Sequence, residues 1–250
     1  MDLLKAKEVF KKYTDSYRKY GEMIELKINH TDRVRQSCVW LAKKLNLSKE
    51  EVEIAEICGL LHDIGRFEQY KRYKSYIDHK TINHGDFGAE ILTENNFINE
   101  FATEKQKMII QVVKYHNKYR IPKTLREETR KYIDIVRDAD KIDSLYIMAT
   151  KTLHYESNNN KMTDVIMEHI RKKEMVVRQN IKIEIDFLAL ELAFIFDLVY
   201  KESFELVKEK DYVNKIIDIY KNDTSNKELI DQLEEMRTIL NNYVEEKLTC

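Results

Sequence analysis

The sequence predicts an all-α protein. Scarce turn residues, apolar residues spaced by three and four, and helix-opening signals ahead of those stripes carry the prediction. The 250-residue chain holds five glycines and one proline, Pro122. A β-sandwich or barrel needs turn residues about every ten positions, and a doubly wound α/β fold needs glycines in its tight connections. Neither has its punctuation here. Gly59, Gly65, Gly85 and Gly88 fall within thirty residues, a stretch where small side chains would let backbones approach closely.

Residues 3–20 read as an amphipathic helix that breaks at Gly21. A second helix begins near His30, with Val34, Cys38 and Leu41 on one stripe. Ser48 and Glu51 form a capping box, each satisfying a backbone donor of the other, and open a helix through Val52, Ala55, Cys58 and Leu61 that Gly65 closes. Residues 66–82 show neither helical nor strand period and read as a long ordered loop, a feature often tied to function. Helix resumes at about 84–96, and Thr103 with Gln106 caps the next, which carries Met108, Ile109, Val112 and Val113. Pro122 marks a turn, and Thr124 with Glu127 starts a long helix to about residue 153.

The polar run Asn158, Asn159, Asn160 is the best internal boundary. It separates a domain over 1–157 from a C-terminal helical extension over 158–250 that is expected to pack on it. The extension reads as helices near 163–173, 185–220 (broken once) and 226–247, the last opened by Ser225 and Glu228.

Forty-three basic against 44 acidic residues leave a net charge of −1, which recruits neither nucleic acid nor an anionic membrane. The most apolar stretch, 187–200, is too short to span a bilayer and contains Glu191 and Asp197. The N-terminal MDLLKAKEVFKK lacks a signal-peptide core. Cys38, Cys58 and Cys250 show no C-x-x-C spacing, so a reducing cytoplasm is the expected compartment.

Polar residues intrude on the apolar stripes. His30 shares the face of Val34 and Leu41; His62 follows Cys58 by four; His84 leads Phe87, Gly88 and Ile91; His116 follows Val112 by four. Asp140 sits on the stripe of Ile133, Val136 and Ile147, and Asp63 directly follows His62. Burying one unpartnered polar group costs roughly 2–7 kcal/mol. A lone inward histidine is ordinarily satisfied by a backbone carbonyl. Four histidines and two aspartates on five successive helices are most economically satisfied by a shared cation. Imidazole with carboxylate suits Fe, Mn, Zn, Ni or Co, and Mg less well.

The order His30, His62-Asp63, His84, His116, Asp140 occurs in the contexts HTDRV, LLHDIGRF, NHGDFGAEIL, KYHN and DADKID. Over roughly residues 26–150 it resembles the HD superfamily of metal-dependent phosphohydrolases. The resemblance implies a helical bundle with a central metal site and two divalent ions per chain. His30, His62, Asp63 and Asp140 would form the first site, and His84 with His116 would add a second ion bridged through Asp63. It further implies cleavage of a phosphoester bond in a nucleotide or similar small phosphorylated substrate by a metal-activated hydroxide. Arg66 stands where some mononuclear members carry a catalytic glutamate. YHNKYRIP replaces the Gly-Tyr-Pro signature of the cyclic-dinucleotide branch and argues against cyclic di-GMP hydrolysis.

Basic residues flank the expected site, at Arg66, Lys71, Arg72, Lys74 and Lys80 and again at Lys114, Lys118, Arg120, Lys123 and Arg126. Arg66, one short turn after Asp63, offers a fork for phosphate and joins Asp63 as an expected catalytic residue. Arg72, Lys118, Arg120 and Lys141 are expected with Arg66 to bind substrate. His79 competes with His84, whose His-Gly context and apolar spacing favour it. Asp78 is a candidate to hold a histidine tautomer, and the loop tyrosines are expected to pack the loop down. Two other functions fit the same residues: an HD-fold di-iron oxygenase, or a non-catalytic nucleotide sensor signalling through its C-terminal helices. Those helices also offer a surface for a homo-oligomer.

Overall fold

The computed structural model describes residues 3–249, and no strand occurs among them. The all-α expectation therefore holds, while Cys250 lies outside the described residues. The chain divides into two compact units, one ending at Ala139 and one beginning at Asp140.

In the first unit, α1 (Leu3–Asp15) sets Phe10 edge-on against Phe67 at 5.9 Å. The second helix, α2 (Glu22–Lys44), begins eight residues before His30, earlier than the apolar spacing suggested. Gly21 takes φ +104° ahead of it, a conformation glycine adopts without strain, and Glu22 and Glu25 favour the positive end of its dipole. The capping box of α3 (Lys49–Leu61) forms as expected, with the Ser48 amide donating to Glu51 Oε2 at 2.9 Å.

The region expected as a loop begins instead as α4 (Ile64–Tyr73). Ile64 and Phe67 are buried, and Glu68 pairs with Lys71 and Arg72 one turn on. The buried polar residue Gln69 interrupts the apolar stripe, which hides the helix from a periodicity reading. Gly65 lies inside this helix, and its missing Cβ would stand 2.5 Å from the His84 carbonyl oxygen and 2.7 Å from the Gly88 nitrogen. Only residues 74–83 remain loop, with a 3-10 turn at Asp78–Lys80.

Asn83 caps α5 (His84–Glu94), accepting from the Asp86 amide at 3.0 Å. The expected Thr103–Gln106 cap is absent: α6 (Thr103–Tyr115) follows Ala102, and Gln106 Nε2 donates to the Asn99 and Phe101 carbonyls. The seventh helix, α7 (Glu127–Ala149), buries Tyr132, Ile133, Ile135 and Val136 in the first unit and continues unbroken past Ala139.

The second unit completes α7 and adds α8 (Asp164–Arg171), α9 (Asp186–Leu192), α10 (Lys201–Glu209), α11 (Tyr212–Asn222) and α12 (Lys227–Thr249). Leu145, Met148, Ile166, Met167, Leu188, Ile216, Leu233 and Leu240 belong to its own core. The segment expected to break once breaks repeatedly, at a 3-10 turn over Ala193–Asp197, at extended Tyr200 and at left-handed Asp211. Asn226, not Ser225, opens α12, accepting from the Glu228 and Leu229 amides at 3.0 and 3.2 Å. The asparagine run lies inside this unit, with Asn158 and Asn159 in the left-handed region. Among the described residues no helix is long and apolar enough to cross a membrane. Neither Cys38 nor Cys58 is disulfide-bonded.

Candidate metal centre

Two histidines sit at helix ends and share one device. His62 ends α3, and its Nδ1 bonds the Gly59 carbonyl at 2.8 Å. His116 ends α6, and its Nδ1 bonds the Val113 carbonyl at 2.7 Å. A carbonyl only accepts, so in each ring Nδ1 donates, and Nε2 is the nitrogen left for a further partner. His84, at the start of α5, reaches the same state through Asp78, whose Oδ2 accepts from Nδ1 at 2.6 Å. Burial above all, with Arg66 nearby, pushes the His84 imidazole down to about 3, so it is neutral near pH 7.

The Nε2 atoms gather around one carboxylate. Asp63 Oδ2 lies 3.4 Å from His30 Nε2 and 3.4 Å from His62 Nε2. Its Oδ1 lies 3.4 Å from His84 Nε2 and 3.7 Å from His116 Nε2. Each oxygen thus faces a pair of histidines. His62, Asp63, His84 and His116 are all buried. Burial pushes the Asp63 carboxyl up, but Lys27 and the surrounding histidines outweigh it and hold the group well below the usual carboxylate range. Lys27 Nζ donates to Oδ2 at 2.9 Å, and Arg66 Nε stands 3.5 Å from Oδ1.

This donor set fits a cation. His84 Nε2 and His116 Nε2 stand 3.1 Å apart, and both rings place their proton on the opposite nitrogen. With Nδ1 as the only protonated nitrogen in both rings, the two lone pairs would repel at that distance, and a cation between them would remove the repulsion. Donor atoms of His62, Asp63 and His116 also lie within 4.8 Å of one another, a span that one metal ion can bridge. Neutral imidazoles and an ionised carboxylate are the ligands that intermediate divalent ions prefer.

A polar network supports the His84 side. Asp78 Oδ1 accepts from Arg66 Nη1 at 2.7 Å and from Gln69 Nε2 at 3.1 Å, while Asn117 Nδ2 reaches its Oδ2 at 3.3 Å. Burial raises the Asp78 carboxyl, but the bond to His84 and the charge of Arg66 outweigh it and lower the group. Asp78 does hold a histidine tautomer, and His84 rather than the exposed His79 faces the centre. Arg137 donates to the His116 and Lys118 carbonyls at 2.9 and 2.6 Å, fixing the turn that follows α6. Tyr70 and Tyr76 pack on each other at 4.9 Å, and the Tyr76 hydroxyl donates to the Met23 carbonyl, so these tyrosines do pack the loop down.

The remaining expected residues are distributed as follows. Asp140 is the first residue of the second unit, one position past Ala139 on α7. Arg66 commits Nη1 to Asp78, Gln69 and the Tyr76 carbonyl. Arg72 pairs with Glu68 at 2.8 Å and lies over the Phe87 ring. Lys118 bonds Asn83 and Asp86, Lys141 bonds Asp197 at 2.6 Å, and Arg120 is exposed. Lys27, Gln69, Asn117 and Arg137 escaped the sequence reading. Lys27 had a readable signal, standing three residues before His30 on the same helix face. Gln69 had none, because its helix was itself unread.

Residues 28–145 match the HD domain family, a span that contains all six of the His and Asp positions singled out above. Searches of curated proteins and of solved structures gave no match. The matched family is one of metal-dependent hydrolases, and the His and Asp groups here are able to hold a metal. Residues 28–145 of the chain are thus an HD domain.

Proposed function

We propose that this protein is a metal-dependent phosphohydrolase that cleaves a phosphoester bond of a nucleotide or similar small phosphorylated substrate. His30, His62, Asp63, His84, His116 and Asp140 would hold two divalent ions. The observation that carries the reading is the division of Asp63, with one oxygen toward His30 and His62 and the other toward His84 and His116. Two ions bound there would lower the pKa of a water to near neutrality and offset charge on the phosphoryl oxygens.

The chain's own residues prepare for that chemistry. Gly59 and Val113 hold the His62 and His116 rings with Nε2 directed at the carboxylate. Asp78 does the same for His84, and burial excludes the bulk water that would weaken each interaction. Among the proposed substrate-binding residues, Arg66 has the strongest support because its guanidinium already stands beside Asp63. Arg72, Lys118 and Lys141 would have to exchange an existing carboxylate partner for phosphate. Arg120 has exposure in its favour. We place the enzyme in the cytoplasm, a reading supported by two buried cysteines outside any disulfide.

A panel of phosphoesters incubated with the protein and added Mn, Co or Mg tests the proposal. Turnover lost in His62→Ala and Asp63→Ala is the expected outcome. Turnover no greater than in those variants, across the whole panel, would count against it.

A further inference from the structure

Asp63 carries a cation as well as histidines. Lys27 lies on α2 one turn before His30, so both side chains approach from the same helix face. Its Nζ donates to Oδ2 at 2.9 Å, and that oxygen is the one facing His30 and His62. The side chain is mostly buried, and the ammonium lies 5.5 Å from the centre of the Tyr76 ring. Arg66 approaches the other oxygen, but three acceptors tie down its Nη1. The two cations therefore differ in freedom. Arg66 is anchored in the Asp78 network, whereas the flexible Lys27 stem can turn its ammonium off Oδ2 toward the Tyr76 face.

We propose that Lys27 is the resident counter-cation of the His30–His62 side, holding Asp63 Oδ2 until a divalent ion displaces it. The proposal rests on the metal reading above and adds what that reading lacks: the residue that sets the affinity on this side. An ammonium and a metal ion cannot both lie against one carboxylate oxygen without strong repulsion. Metal uptake must therefore break the Lys27–Asp63 pair, and its strength is subtracted from the metal's own. The released ammonium stays beside the centre, where it would add positive charge for a phosphate.

The test uses full-length, chelator-treated protein titrated with Mn2+ alone, free Mn2+ being followed by its electron paramagnetic resonance signal. Lys27→Met keeps most of the stem and removes the charge. It should bind its weaker Mn2+ about tenfold more tightly, equivalent to ~1.4 kcal/mol. Lys27→Arg, which keeps the charge, should stay within about threefold of the unaltered protein. In thermal melts, metal-free Lys27→Met should unfold at lower temperature than metal-free parent protein, and saturating Mn2+ should close the gap.

A purely structural role predicts the opposite direction, since a distorted site binds metal more weakly. Unchanged or weaker Mn2+ binding by Lys27→Met would therefore overturn the proposal. Should that variant fail to fold, Lys27→Gln removes the same charge while keeping a polar end, and the same gain is expected of it. If no protein in the series retains Mn2+, the metal reading falls and the proposal with it. Equal retention by all of them overturns the Lys27 proposal alone.

Discussion

Asp78 shows what a single residue contributes that a ligand pattern does not display. The His84 ring has its proton on Nδ1 because a carboxylate accepts it there, and Gln69, Arg66 and Asn117 hold that carboxylate. Such supporting partners are typically worth about 10–100-fold in metal affinity. If the chain holds two ions as proposed, Asp78→Asn should therefore lower the metal content of purified protein toward about one, read by elemental analysis. Undiminished content would show that His84 needs no such support.

His84 also makes metal-free stability depend on pH. Its folded pKa of about 3 lies below the ordinary 6.5, so between those values the unfolded chain binds more protons. Stability is fully present above about pH 6.5 and falls as pH drops toward 3, by at most ~1.4 kcal/mol per pH unit from this group. Chemical denaturation of the metal-free protein at pH 7 and pH 5 should show the fall. His84→Gln should flatten it, and an equal slope in that variant would disprove the assignment. At this scale the histidines gathered around Asp63 were legible because histidine on an apolar stripe is anomalous. Lys27 was passed over despite its spacing from His30, because a lysine is no anomaly by itself.

Helices were legible where their spacing was clean, as in α3 with its capping box, and illegible where polar groups entered the inner face. The α4 helix is the clearest loss. Gln69 occupies the inward position of a leucine because it bonds Asp78, Thr81 and the Ile82 carbonyl, so functional support erased the periodic signal. Gly65 records what that helix does. A methyl group there would meet backbone atoms of α5, which cannot yield as a side-chain tip can. Gly65→Ala should destabilise the protein by at least about 1–3 kcal/mol and weaken metal retention together with it. Ser48→Ala, which removes the cap of α3, should cost about 1 kcal/mol and leave metal retention unaltered. Urea unfolding paired with metal analysis separates the two cases.

Across the whole molecule, scarce turn residues together with apolar spacing and capping signals settled the all-α class. The passage between compact units was not readable, because it falls inside α7, where buried Ile135, Ala139, Ile142 and Leu145 follow one another at spacings of four and three without a break. Stability is the property to measure at this scale. A ligand at one hundred times its dissociation constant adds ~2.7 kcal/mol to the folded state. Metal-loaded protein should thus melt roughly 5–10 °C above chelator-treated protein. Identical melting curves would argue that no ion binds tightly in the folded state.

The buried carboxylate with its ring of histidines has a consequence for the heat of binding. Near pH 7, Asp63 and His84 have no proton to release, the first held well below the carboxylate range and the second down at about 3. Metal capture usually expels protons into the buffer, and the measured enthalpy then varies with the buffer's own heat of ionisation. These two donors contribute nothing to that variation. Between pH 8 and pH 6 these two donors would present an incoming ion with an unchanged charge, and by the proposal above the group leaving Asp63 is the Lys27 ammonium.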